Sequence, residues 1–168
     1  MIKKTVTFLL LLAYLSTFAQ DITLEEITNN ILQIEADTTF TITTRNQAKS
    51  SQISLDGGYQ FKIWHQGRHI AKIVEVIGLS YGSIQTTIYL TNHTPVKIIE
   101  SEAVFTETSH GLNYNSLNKV YEVTHDILNW NHQKTITKEK GKRVFSVPKK
   151  AILDYKLLIE CAKQTIDE

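Results

Sequence analysis

Three sets of side chains in this 168-residue chain have types that could do chemistry. The first is His125, Asp126 and His132, since imidazole and carboxylate groups bind transition metals or relay protons. In a strand, His125 and Asp126 point to opposite faces, so a joint site would need a break in the strand. His65 and His69 flank a Gln66-Gly67 turn. With those two residues as the whole loop, His65 faces Arg68 and Trp64 faces His69, and Arg68 disfavours a nearby cation. Six histidines are present without an HExxH, CxxC or His-x-His motif. The sequence therefore predicts no metal and no cofactor.

The second set is Ser80 within Gly78-Leu79-Ser80-Tyr81-Gly82, a match to G-x-S-x-G. A nucleophile elbow needs a parallel strand before it and a helix after it. Residues 83–90 instead alternate and are rich in Thr, Ile and Tyr, so a turn between strands is expected. The third set is Glu100, Glu102 and Glu107. Glu100 and Glu102 share a face, and like charges on an exposed edge deter edge-to-edge pairing. Cys161 is the only cysteine. It excludes an internal disulfide, and on an amphipathic helix it is expected to be buried.

What remains is a surface. If Ile84, Ile88 and Leu90 face the helices, Tyr81 and Tyr89 point to the opposite face with Gln85 and Thr87. By the same alternation Phe61 and Ile63 go inward and Trp64 outward, and Trp130 can join them. Exposed aromatics beside Ser, Thr and Gln make a platform for a protein, peptide or glycan. The predicted binding residues are Trp64, Tyr81, Gln85, Thr87, Tyr89 and Trp130.

These residues need elements to position them. Thr23 and Glu26 form a capping-box pattern, with Ile22 and Ile27 spaced as a hydrophobic staple. Ile27, Ile31 and Ile34 continue one helical stripe, which predicts a helix over 24–36. From Thr38 the period becomes that of a strand, followed by a polar loop at 45–52 and a short strand at 53–55. Asp56-Gly57-Gly58 marks a turn. A meander follows: a strand from Tyr59, a second at 68–77 that is apolar on both faces, a third at 83–90, and a fourth from Pro95 to Phe105. A slip in the fourth strand between Ile99 and Val104 suggests a bulge or an edge. Thr106–Asn118 reads as a long loop, Val120–Trp130 as a strand, Thr135–Thr137 as a weaker one, and Lys138–Arg143 as a solvated turn into Arg143–Val147. Pro148 suits the start of a closing helix whose stripe runs through Ile152, Tyr155, Leu158, Ile159, Ala162 and Ile166. The order predicts an α+β fold: one antiparallel meander of about six to eight strands, with both helices on one face.

The first twenty residues, MIKKTVTFLLLLAYLSTFAQ, have the layout of a cleavable leader. Lys3 and Lys4 precede an apolar stretch, and Thr17-Phe18-Ala19 is a small-x-small cleavage context. About 14 apolar residues are too few for a bilayer span, which takes roughly 20. Residues 1–19 are thus expected to be removed, leaving 20–168 as one domain that is secreted or periplasmic. Loss of the two lysines takes the formal charge from +1 to about −1. That balance gives no electrostatic reason to bind nucleic acid. The FAQ-D leader end, the hairpin HQGRHIAKIVEV and the closing amphipathic helix resemble small secreted α+β proteins of unassigned function from Gram-negative bacteria. The resemblance implies an extracytoplasmic location. The sequence favours a non-catalytic binding domain using the outer sheet face. The alternatives are a small extracytoplasmic hydrolase or metal-dependent enzyme, and a structural subunit pairing through the 96–105 edge.

Overall fold

A row of four isoleucines, Ile63, Ile73, Ile88 and Ile98, crosses four neighbouring strands, and each is 0% exposed. Burying such a side chain contributes about 2 kcal/mol, so this row is a centre of the fold. The computed structural model describes residues 21–46, 57–145 and 155–167. The leader, the 53–55 strand and the Pro148 helix start lie outside the described residues.

Helix α1 (Leu24–Ala36) is followed by strands β1 (Thr41–Arg45), β2 (Tyr59–Gln66), β3 (His69–Leu79), β4 (Gly82–Thr91), β5 (Thr94–Thr108), β6 (Gly111–Asn129) and β7 (Lys134–Gly141), then helix α2 (Lys156–Ile166). The seven strands form one antiparallel sheet in sequence order. This is the expected α+β meander. The edges are β1 and β7, so β5 is an interior strand and does not offer the pairing edge expected at 96–105. The slips in its alternation are bulges.

Three bulges lie at one end of the sheet. Trp64 pairs with Lys72 while His65 pairs with Ile70, leaving Ala71 without a partner. Val96 is passed over between Pro95 and Lys97, and Leu128 between Ile127 and Asn129. A bulge adds one residue to one strand and re-aims the side chains around it. Ile70 thereby joins Ile73 on the α2 side, so the pattern on β3 differs from the strict alternation expected at 68–77. Val96 and Leu128 turn to the other side and pack with Ile27 of α1.

The helices accordingly cover opposite faces, a correction to the expectation of one shared face. Ile159 and Ala162 of α2, with Tyr155 just before it, pack on Phe61, Ile63, Ile73, Ile88 and Ile98. Ile27 of α1 packs on Tyr89 and Val96, with Ile22, Ile31 and Ile34 at the margin. Two amphipathic helices need two apolar surfaces, and the bulges supply the second. Among the described residues no helix is long and apolar enough to cross a membrane.

Two turns differ from the sequence reading. The β2–β3 loop is Gly67-Arg68, one residue later than expected, with Gly67 at φ 56°. Thr106–Asn118 is largely strand: β5 continues to Thr108, and β6 begins at Gly111. Its pattern was concealed because Thr106 pairs with Asn113 while Phe105 pairs with Leu117, so residues 114–116 bulge out. The arm projects past Gly82, where β4 begins, so no third strand flanks it and even Tyr114 and Leu117 on it are exposed.

Helix α1 is held by carboxylates at both ends. The capping box is present, and Glu26 sits below the usual glutamate range because it accepts from the Thr23 amide and hydroxyl. Burial alone would raise the Glu35 carboxyl. Hydrogen bonds from Lys72 and Tyr89, each 2.6 Å long, and the Lys72 charge outweigh that and hold it low. Asp21 is lowered by Lys134 and Asn129. Folded values below unfolded ones mean the stabilisation is present above the ordinary carboxylate range, about pH 4, and is lost as pH falls through the folded values. Hydrogen exchange read between pH 5 and pH 3 should show α1 amides losing protection before those of β3 to β6. Uniform loss across both would refute this.

Candidate functional site

Four of the six predicted binding residues come together on the outer, α1-bearing face. Trp64 pairs across β2–β3 with Lys72, and Lys72 pairs across β3–β4 with Tyr89. Lys72 Nζ lies 4.8 Å from the Trp64 ring centroid and 5.5 Å from that of Tyr89. Thr87 and Gln85 follow on the same face of β4, two and four residues back from Tyr89. Tyr89 is covered by α1 and donates to Glu35, and burial followed by the Glu35 bond and charge pushes its phenol well above the ordinary range. Thr87 is also buried, Trp64 is half-buried, and Gln85 is exposed.

The other two residues lie elsewhere. Tyr81 occupies the β3–β4 turn with its ring 5.4 Å from that of Phe145, and Trp130 packs against the cluster beneath α2. Phe145 in turn rests on Gly82, where an added Cβ would lie 2.1 Å from the Ala103 carbonyl oxygen and 2.8 Å from the Phe145 ring. Glycine there lets the β4 backbone approach both groups.

Beyond the footprint of α1, one row of the outer face runs Gln60, Val76, Gln85, Ser101, Glu122 and Lys140 across β2 to β7. It presents amides, a hydroxyl and one charge of each sign around Val76. Such a surface suits directional polar contact with a partner.

The catalytic candidates separate. His125 lies on the inner face with its ring 6.4 Å from Tyr155 and its Nδ1 2.9 Å from Thr137 Oγ1. Asp126 lies on the outer face and pairs with Lys97 at 3.1 Å. His132 stands in the β6–β7 turn, where its amide donates to Asn129. Among the described residues no three His, Cys, Asp or Glu side chains are grouped to hold a metal. Ser80 sits in a turn between two antiparallel strands, so it lacks the helix a nucleophile elbow requires.

Glu100 and Glu102 are the largest departure from the sequence reading, in which they guard an exposed edge. They are 1% and 0% exposed and point inward from β5. Arg143, expected in a solvated turn, donates to Glu100 through Nη2 and to Glu102 through Nη1 at 3.1 Å. The other Glu102 oxygen accepts from the amides of Val144, at 2.8 Å, and Phe145, at 3.1 Å. Tyr155 donates to Glu100 at 3.4 Å, and its phenol is raised by burial first and then by the Glu100 charge. The guanidinium lies 4.6 Å from the Tyr121 ring centroid. Lys142 still donates its amide to the Val120 carbonyl at 3.1 Å, but Arg143, Val144 and Phe145 are held by the two carboxylates and lie outside the strand pairing expected to begin at 143. Glu107 is exposed on the projecting arm, away from this group.

The arrangement binds chain to chain. Every Glu102 oxygen meets a donor, and both carboxylates are buried, so they are committed to tying residues 143–145 to β5. Removing one partner of a buried ion group leaves the others uncompensated, a cost of about 3 kcal/mol. Arg143→Met should lower unfolding free energy by about that amount in urea titrations, and Glu100→Gln with Glu102→Gln should recover part of the loss. An additive triple variant would show that the groups do not act together. No protein family, curated protein or solved structure matches the chain.

Proposed function

We propose that this chain is a non-catalytic secreted or periplasmic interaction domain whose partner docks on the outer sheet face beyond α1. The observation that carries the reading is the row Gln60, Val76, Gln85, Ser101, Glu122 and Lys140, which crosses six strands beside the α1 seat. A rigid sheet holds these groups at fixed spacings of about 5 Å, so a protein or peptide partner meets them pre-organised. Gln85 stands near the middle of the row as an exposed amide, and Trp64 adds aromatic area at the margin. Thr87 and Tyr89 support the surface from beneath. The internal use of Glu100 and Glu102 favours binding over carboxylate catalysis.

Gln85→Arg places a charge in the row without touching the core. It should abolish capture of whatever co-purifies with the mature protein from an envelope extract, while the thermal midpoint stays within a degree or two. Capture unchanged by Gln85→Arg would reject the outer face as the docking surface.

The location rests on Lys3, Lys4, the apolar stretch and Thr17-Phe18-Ala19. Expressed with its leader in a Gram-negative host, the protein should appear in the envelope fraction with a mass that begins at Gln20. Uncleaved protein confined to the cytosol would end the extracytoplasmic reading.

A further inference from the structure

The bulged end of the sheet carries a two-lobed depression distinct from the outer-face row. One lobe, of about 210 Å³, lies between the C-terminal half of α1 and the start of β3, where Asn30, Gln33 and His69 reach it. The second, of about 270 Å³, is floored by apolar residues beside Trp130 and Asn131. Asn92 of the β4–β5 turn lines both, so the lobes are adjacent across one ridge. Together they span about 480 Å³, within the size range of small-molecule sites, about 300 to 1,000 Å³.

The lining has a definite chemistry. Five carboxamides line the two lobes: Asn30, Gln33, Asn92, Asn129 and Asn131. Asn129 is engaged by Asp21 and by the His132 amide, whereas the side chains of the other four, three of them exposed, have no hydrogen-bond partner among the described residues. An amide both donates and accepts, as a hydroxyl does, so the set matches a ligand bearing several hydroxyl groups. Asp37 is the one carboxylate lining either lobe, and it is engaged by the amide and hydroxyl of Thr39. No lysine or arginine lines either lobe, so nothing there selects an anion. Phe40 and His69, the latter edge-on to His93 at 5.1 Å, line the first lobe and Trp130 the second, and such rings offer a flat surface for the C–H face of a sugar ring.

We infer that this depression is a binding site for a neutral disaccharide unit, one pyranose against Trp130 and the next against His69, with Asn92 bridging them. The site is independent of the outer-face row, since no residue is common to the two.

The test uses the mature protein carrying Trp64→Phe, which leaves Trp130 as the sole tryptophan. Cellobiose, maltose and mannobiose are titrated in turn, read by Trp130 emission and by saturation-transfer NMR. At least one should give a saturable Trp130 shift in the millimolar range or tighter. Gln33→Ala is an exposed helical change that leaves folding intact, and Asn92→Gly removes the amide while keeping the left-handed backbone at φ 50°. Each should weaken binding at least tenfold without moving the thermal midpoint, whereas Gln85→Arg should leave it unchanged. No saturable response from any of the three disaccharides, or equal affinity in Gln33→Ala and Asn92→Gly, overturns the assignment. Retained disaccharide binding with lost outer-face capture, or the reverse, separates the fate of this site from that of the docking face.

Discussion

Two amphipathic helices on opposite faces of one meander impose a demand that regular strands cannot meet. Period-two alternation gives a strand one apolar face. Covering the second face requires either continuous apolar strands or a local break in the period. This chain uses the break. Ala71, Val96 and Leu128 are each one residue too many for their ladders. Val96 and Leu128 meet Ile27 in the small second cluster, and Ala71 lies beside Ile34 in the same seat. The main core on the α2 side keeps its row of isoleucines undisturbed. The seat of α1, the burial of Tyr89 and the depression beside Trp130 all derive from the same three insertions.

The inner face solves a different problem. Its rows change from isoleucine near α2 to carboxylate further along β5, at Glu100 and Glu102. Buried carboxylates need donors, and the chain brings them from Arg143 and from the amides that follow β7. A segment without ladder partners thus has its backbone groups satisfied by side chains, as buried backbone groups must be. The ion group replaces a strand there, fixing where the chain leaves the sheet on its way to α2.

Much of this architecture was legible in residues close to one another. Thr23 and Glu26 mark the start of α1, and the alternation in Tyr59–Ile63 and Ser83–Leu90 marks strands on their proper faces. The failures were non-local. The apolar residues on both sides of β3 announced a doubly covered strand, yet only the partner register reveals that Ala71 is the inserted residue. Arg143 stands more than forty positions from Glu100, so nothing near either residue signals their pairing. Thr106–Asn118 is polar because no third strand flanks it, and a three-residue bulge interrupts what alternation it has. Tyr81 and Trp130 separate from the other four aromatic-face candidates because a turn and a bulge intervene.

The seat of α1 also bears on how the chain assembles. The helix lies N-terminal to every strand, but its floor comes from β3, β4, β5 and β6, and the Ile22 amide closes onto the Leu128 carbonyl at 3.0 Å. A ribosome releases those partners more than a hundred residues apart. The first element to emerge is therefore among the last able to dock, and it waits as a solvated, mostly polar rod that buries only Ile27 when the sheet is complete.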